Sequence, residues 1–425
     1  MNDLEALEAE AGLALREHRT GAVLAACRAL IALAPERPTG WVYQALALFL
    51  DGKPEAVYRR LLPHCRRKTG YDCLLVLKDV FLLLAKLKAG DVILDAAAKA
   101  PLNELYSVIP TYFAACVLLE RKLFEPGFAL LTGFRARCLE NLAALPTGDS
   151  DGFMVLFRHA LLVNDDSYLE SDYFHDNLAA NHARLSALSW SLIAAPEADD
   201  SRAVLAVSCD PRYAELFLPR FLESVDRFCS GRLVHLHLID PASDPPVLPA
   251  ALTRNRLAVT TETSGALKSS AWYASARFVR MEELLAHYRR PVVMYDIDIA
   301  LLHPPELLEQ AMAEADFGCF RMPRLDPGSV YQASVTAFRP TPAGLELSRL
   351  LRDLILSKMS LKHELLWLID QACLYSAITS LADRAGRLRV ADFTAELGMA
   401  IEDHVEFCDR NEEKLRLMKL ASGAY

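Results

Sequence analysis

The chain has 425 residues, more than one ordinary hydrophobic core encloses, so its length points to two or three domains. Apolar residues make up 52% and charged residues 24%, a balance that excludes a disordered or fibrous chain and belongs to soluble globular proteins. The formal net charge of −9 argues against nucleic-acid binding, whose footprint is a basic patch; Arg59-Arg60 and Arg66-Arg67-Lys68 read instead as solvated helix faces.

The opening Met1-Asn2-Asp3-Leu4-Glu5 is acidic and lacks the basic region of a secretory signal. Leu4 to Arg16, Gly21 to Leu33, Gly40 to Leu50 and Pro54 to Arg67 repeat apolar residues at helical spacing, with Pro35, Pro38, Gly52 and Pro54 as punctuation. Leu7, Ala11 and Ala14 recur as Trp41, Ala45 and Leu48, a period of about 34 residues. That pattern resembles a tetratricopeptide pair, carried chiefly by Trp41 and Ala45. The most hydrophobic stretch, Cys73 to Ala85, is interrupted by Lys78-Asp79 and closed by Lys86, too short and too charged for a transmembrane segment. Pro101 to Leu119 and Pro126 to Leu142 keep the helical period without the motif residues. Residues 1–193 are therefore expected to be all-α, either a degenerate tetratricopeptide-like repeat or an ordinary helical bundle.

Cys27, Cys65, Cys73, Cys116, Cys138, Cys209, Cys229, Cys319, Cys373 and Cys408 form no CxxC pair, so neither a zinc site nor a disulfide scaffold is expected. Buried thiols in a reducing, cytoplasmic setting fit better. Residues 146–152 read as a loop, and Ala194 to Ser201 as a linker between domains.

After the linker the period changes. Ala203 to Val207, Leu233 to Ile239, Leu257 to Thr261 and Pro291 to Tyr295 are short apolar strands, with helices expected over Tyr213 to Phe228 and Ala271 to Tyr288. Such alternation predicts an α/β domain over 202–425 with a mostly parallel, Rossmann-like sheet. Ligands of open parallel sheets lie outside the carboxyl ends of the strands, where Asp210 and the pair Asp296 and Asp298 fall. An Asp-x-Asp at a strand exit directs two carboxylates to one side of an extended backbone. Two such hard ligands suit Mg²⁺ or Mn²⁺ carrying a diphosphate.

Five blocks in order carry a more specific resemblance: Cys209-Asp210 with Tyr213; Ala274 to Phe278; Val292 to Asp298; Tyr331 to Phe338; and Trp367-Leu368-Ile369-Asp370-Gln371. Together they are similar to nucleotide-sugar glycosyltransferases of the GT-A fold, most of all family 8. The resemblance implies a sugar transfer that retains anomeric configuration, from a nucleotide-diphospho-sugar in which uridine (UDP) is the favoured nucleotide. It implies Asp296 and Asp298 as metal ligands for Mn²⁺ or Mg²⁺, and Arg277 on a phosphate or on donor-sugar hydroxyls. It further implies Tyr213 stacked on the base with Asp210 at its polar edge, and Asp370 and Gln371 facing the reacting anomeric carbon.

Two departures stand out. Gln332-Ala333-Ser334 occupies the place of the family's Asn-Ala-Gly, and no His-x-x-Gly-x-x-Lys-Pro-Trp follows near the C-terminus. His404 is the expected third metal ligand and Asn411-Glu412-Glu413-Lys414 the source of a lysine; His303 ranks lower because Pro304-Pro305 turns the chain. The helical domain would select a protein or glycan acceptor, since stacked repeats make extended surfaces. A sugar-nucleotide pyrophosphorylase would need a Gly-rich loop after the first strand, which Cys209-Asp210-Pro211-Arg212 does not supply. The alternative from another class is a non-catalytic interaction scaffold with a degenerate transferase domain.

Overall fold

The computed structural model describes residues 3–17, 19–69, 73–101, 107–140, 153–192, 202–241, 256–361, 365–366 and 368–408. The chain divides into two compact units, one of residues 1–161 with 324–327, the other of 162–323 with 328–425. Among the described residues no helix is long and apolar enough to cross a membrane.

The first unit is helical: α1 Asp3–Arg16, α2 Thr20–Leu33, α3 Pro38–Leu50, α4 Pro54–Ala56, a π-helical turn Val57–Leu61, α5 Leu62–Thr69, α6 Cys73–Lys86, α7 Gly90–Ala98, α8 Val108–Glu120, α9 Phe124–Glu140 and α10 Phe153–Leu162. One turn recurs through it. Arg19, Lys53, Ala89 and Leu123 each donate a backbone N–H five residues back, to Ala14, Leu48, Leu84 and Leu118, at a spacing of about 35 residues. Such a bond satisfies an orphan carbonyl at a helix end and needs a left-handed residue before it. Gly52 (φ 68°), Lys88 (φ 55°) and Lys122 (φ 58°) take that conformation. The helix pairs bury an aromatic row: Phe49 to Phe81 (5.4 Å), Phe81 to Phe113 (5.6 Å) and Tyr112 to Phe134 (5.1 Å). Trp41 is buried with its indole N–H on the Pro35 carbonyl at 2.9 Å.

The second unit continues with α11 Asp166–Leu169, α12 Asp172–His182, β1 Ser189–Leu192, β2 Val204–Cys209, α13 Pro211–Cys229, β3 Leu233–Ile239, β4 Arg256–Glu262, α14 Ser270–Val279, α15 Met281–Tyr288, β5 Val292–Tyr295 and β6 Ile299–Leu301. It ends with α16 Glu306–Ala311, β7 Phe317–Arg321, β8 Tyr331–Phe338, α17 Pro342–Lys358, α18 Ile369–Ile378, β9 Val390–Asp392, α19 Phe393–Leu397, α20 Ile401–His404 and β10 Val405–Phe407. Eight strands form one mostly parallel sheet in the order β1-β4-β3-β2-β5-β8-β7-β9, with β1 and β8 antiparallel to their neighbours. The helical reading up to residue 193 fails at β1, which pairs antiparallel with β4; Trp190 packs on His287 at 3.9 Å, so a sheet edge holds it. The helix expected over 271–288 is two helices that meet at Arg280.

Strand alternation sorts the two faces of the sheet. Leu205, Val207 and Cys209 of β2, Val234, Leu236 and Leu238 of β3, and Val293 and Tyr295 of β5 share a core with Phe217, Phe221 and Val225 of α13. From β2 the chain moves outward through β3 to β4, then returns to lay β5 on the other side of β2. The strand order therefore reverses between β2 and β5, and adjacent connections leave a crevice at that point. Their register pairs Val207 with Tyr295, which brings Asp210, three residues beyond Val207, and Asp296, one beyond Tyr295, to the same end of the sheet.

Candidate active site

Asp210 ends β2 and caps α13, its Oδ1 accepting the Tyr213 N–H at 2.8 Å. Tyr213 packs on Phe217 with ring centroids 5.3 Å apart, on the α13 side of the sheet. At the end of β5 the Asp296 N–H donates to the Ser334 carbonyl at 2.8 Å, extending the ladder with β8 by one residue. The extended backbone expected through Asp298 is not found: residues 297–298 form a turn before β6. Ile297 explains it, since burying that side chain in the α13-side core pins the turn and leaves the two flanking carboxylates outside.

Arg277 gathers the site. Ser269 caps α14, accepting the Trp272 N–H at 3.1 Å, and Trp272, Ala276 and Val279 bury its apolar face. Arg277, two turns in, is only 5% exposed. Its Nη1 pairs with Asp296 Oδ1, while Nη2 donates to Asp370 Oδ2 and to the Ala333 carbonyl, each at 3.2 Å. Burial works against the cation, but Asp296, Asp370 and Asp298 outweigh it and hold its pKa above the ordinary value. For Asp370 burial comes first and the charge of Asp296 adds to it. Both push its carboxyl up, against the pull of Arg277 and of the Gln371 N–H at 2.9 Å. A buried carboxylate with a raised pKa beside a cation is the environment in which acid–base and electrostatic groups are found. Leu368, just before α18, is left-handed (φ 62°), an unusual conformation for a side chain that large. Asp298 lies in the field of Arg277 and of the buried Cys209 thiol, whose pKa burial raises first.

The structure thus brings together Arg277, Asp296, Asp370 and, by its field, Asp298, with Gln371 adjoining on α18. It does not bring His404 to them. The Cys408 N–H donates to the Asp298 carbonyl at 2.9 Å, while the Leu302 N–H donates to the His404 carbonyl at 3.0 Å. His404 therefore lies at the opposite end of the β6–β10 ladder from Asp298, about 13 Å away by strand rise. Its ring is fully buried beside His303 (centroids 6.2 Å apart), neither nitrogen has a hydrogen-bond partner, and burial first, then His303, lowers its pKa to about 4. Trp367 and residues 411–414 lie outside the described residues. Gln332-Ala333-Ser334 supplies backbone to the site, through the Ala333 and Ser334 carbonyls.

A further acidic residue stands at the neighbouring strand end. Asp240 (φ 54°) ends β3 and accepts the Ser264 N–H at 2.7 Å, the Ser264 hydroxyl at 2.5 Å and the Tyr273 hydroxyl at 2.9 Å. These bonds, with the Lys268 ammonium at 3.9 Å, hold its pKa below the ordinary value although partial burial opposes them. The sequence offers only its place after an apolar strand; the pairing of β2 with β3 is what sets it beside Asp210.

Among the described residues no group of three or more His, Cys, Asp or Glu is gathered to hold a metal ion. Asp296 and Asp298 are the two carboxylates that could hold a cation of the magnesium type, which binds through one or two carboxylates and fills its other positions with water and phosphate oxygens; Asp296 Oδ1 is already engaged by Arg277.

No protein-family model matches this chain, and no curated protein matches it. Among solved structures, one similar chain is that of an apo bifunctional glycosyltransferase, WbbM. The identity is 15% and the TM-score 0.30, over 47% of this chain and 40% of that one. The present chain thus spans less than half of that protein's length, and a likeness of this degree leaves fold and function to be argued from the site.

Proposed function

We propose that this protein transfers a sugar from a nucleotide-diphospho-sugar, with UDP the favoured nucleotide, bound at the crevice between β2 and β5. The observation that carries the reading is Arg277: α14 sets one buried guanidinium between Asp296 at the end of β5 and Asp370 at the start of α18. The likeness of five ordered sequence blocks to GT-A glycosyltransferases of family 8 supports the same reading.

Each residue then has a task. The planar fork of Arg277 suits diphosphate oxygens, and a diphosphate arriving there competes with Asp370 for the guanidinium. Released from that pair, the Asp370 carboxylate faces positive charge developing at the anomeric carbon, and the Gln371 amide orients a sugar hydroxyl. Asp296 and Asp298 would hold Mn²⁺ or Mg²⁺, which supplies charge neutralisation of the departing diphosphate. Retention of configuration is what the family likeness implies for this transfer. The helical unit would hold a protein or glycan acceptor, and the buried thiols suit a reducing, cytoplasmic setting.

Isothermal titration of UDP with and without Mn²⁺ tests the binding step, and mass spectrometry of sugar-nucleotide hydrolysis tests the chemistry. Metal-dependent UDP binding with slow hydrolysis of at least one sugar nucleotide is expected. Absence of metal-dependent binding overturns the reading, and binding without turnover of any donor supports the interaction scaffold instead.

A further inference from the structure

The expected base-stacking residue, Tyr213, points its ring into packing with Phe217 on the α13 side of the sheet. A different tyrosine stands over the strand ends. Tyr273 lies four residues before Arg277 on α14, so the two side chains share a helix face about 6 Å apart along the axis. Arg277 is fixed at the end of β5 by Asp296. Tyr273 is fixed at the end of β3 by its hydroxyl bond to Asp240, and it feels the charge of Asp210 at the end of β2. Because β3 and β5 flank β2, their ends are about 10 Å apart, a gap that a nucleoside running into its diphosphate bridges.

Charge decides which end of that ligand lies where. The ends of β2 and β3 present the carboxylates of Asp210 and Asp240, with the Lys268 ammonium 3.9 Å from Asp240, and two adjacent carboxylates disfavour phosphate. Those carboxylates accept hydrogen bonds, which suits ribose hydroxyls and base N–H groups; Asp210 has one oxygen engaged by the Tyr213 N–H and retains acceptor capacity. The Tyr273 ring is half-buried, and its hydroxyl is already tied down. A ring held in this way loses little freedom on binding.

We propose that Tyr273, clamped by Asp240, is the surface on which the nucleobase of the donor packs, so that one face of α14 reads the base at Tyr273 and the diphosphate at Arg277. This rests on the donor-binding reading above and adds the direction in which the nucleotide lies. Base–aromatic stacking tolerates any base, so choice of base falls to the acceptor groups of Asp210 and its surroundings.

The test is calorimetric titration of the full chain with UDP and, separately, with inorganic pyrophosphate, both with MnCl₂, for the native protein, Tyr273→Ala, Tyr273→Phe and Tyr213→Ala. Tyr273→Ala is expected to weaken UDP about 5- to 150-fold while pyrophosphate affinity stays within about twofold. Tyr273→Phe keeps the ring and should lie between the native protein and Tyr273→Ala for UDP. Equal loss of UDP and pyrophosphate affinity in Tyr273→Ala would assign the residue a merely structural role and overturn the proposal. Unchanged UDP binding in Tyr273→Ala, or selective loss of UDP in Tyr213→Ala, overturns it as well while leaving the donor reading intact. A native protein that binds neither ligand removes the donor reading, and this proposal with it.

Discussion

Arg277 holds two carboxylates in a place where water is nearly excluded, and that arrangement makes each partner depend on the others. Removing one member of a buried ion cluster leaves uncompensated charge, which costs far more than the cluster contributes when whole. Arg277→Gln is therefore expected to lower stability by about 3–5 kcal/mol, read as a drop in the urea midpoint. Asp370→Asn keeps the shape and leaves Arg277 its bond to Asp296. Its fold should survive, while the proposed sugar transfer should fall about 10²- to 10³-fold, the usual loss of one electrostatic stabiliser; an unaltered initial rate would remove Asp370 from the chemistry. Arg277, Asp296 and Asp370 were legible in the sequence as members of separate blocks. Asp240 was not, because a single Asp followed by Pro241-Ala242 has no pattern of its own and gains meaning only from Tyr273 and Ser264 across the fold.

At the scale of elements, β3 and β4 are joined by a buried polar chain as well as by their ladder. His235 meets the Tyr288 hydroxyl at 2.7 Å and Thr260 at 3.0 Å, His237 meets Thr260 at 2.9 Å, and Glu262 pairs with Arg280. Burial first, then the neighbouring His237 and His287, drives the His235 pKa well below its ordinary 6.5. A histidine held neutral in the fold contributes its full stability above the unfolded value and loses it as pH falls below it. His404, at about 4, acts in the same direction. Stability should thus fall as pH drops from about 6.5 toward about 4, by at most about 1.4 kcal/mol per pH unit for each, measured by urea midpoints; His235→Gln should flatten that slope. In the helical unit, exposed Lys88 adopts the left-handed turn that Gly52 adopts freely. Lys88→Gly is expected to stabilise by up to about 1 kcal/mol, seen as a raised midpoint; a loss of stability would show that the turn carries no strain. Helices of strong period were legible in the sequence. The short edge strand β1 was not, since residues 189–192 form a strand only because β4 offers them a free edge.

At the scale of the whole molecule, the helical unit is not a contiguous stretch of chain. Residues 324–327 group with it, and Asp326 accepts the Tyr112 hydroxyl at 2.5 Å and pairs with the buried His159. Asp326→Ala in the full chain should therefore destabilise the helical unit by about 2–4 kcal/mol, followed by hydrogen exchange of α8 and α10; unchanged protection would show the contact to be idle. Periodicity by itself located the strongly patterned helices and the central strands β2 to β5, because burial of one face imposes a period of 3.6 or 2 on local sequence. It also placed acidic residues at strand ends. Which of them meet was decided only by the tertiary structure. Strand order set β2 beside β5, the burial of Ile297 turned the chain between Asp296 and Asp298, and the β6–β10 ladder carried His404 away from both. Those contacts join residues far apart in sequence, and their free energy comes from packing that no local spacing records.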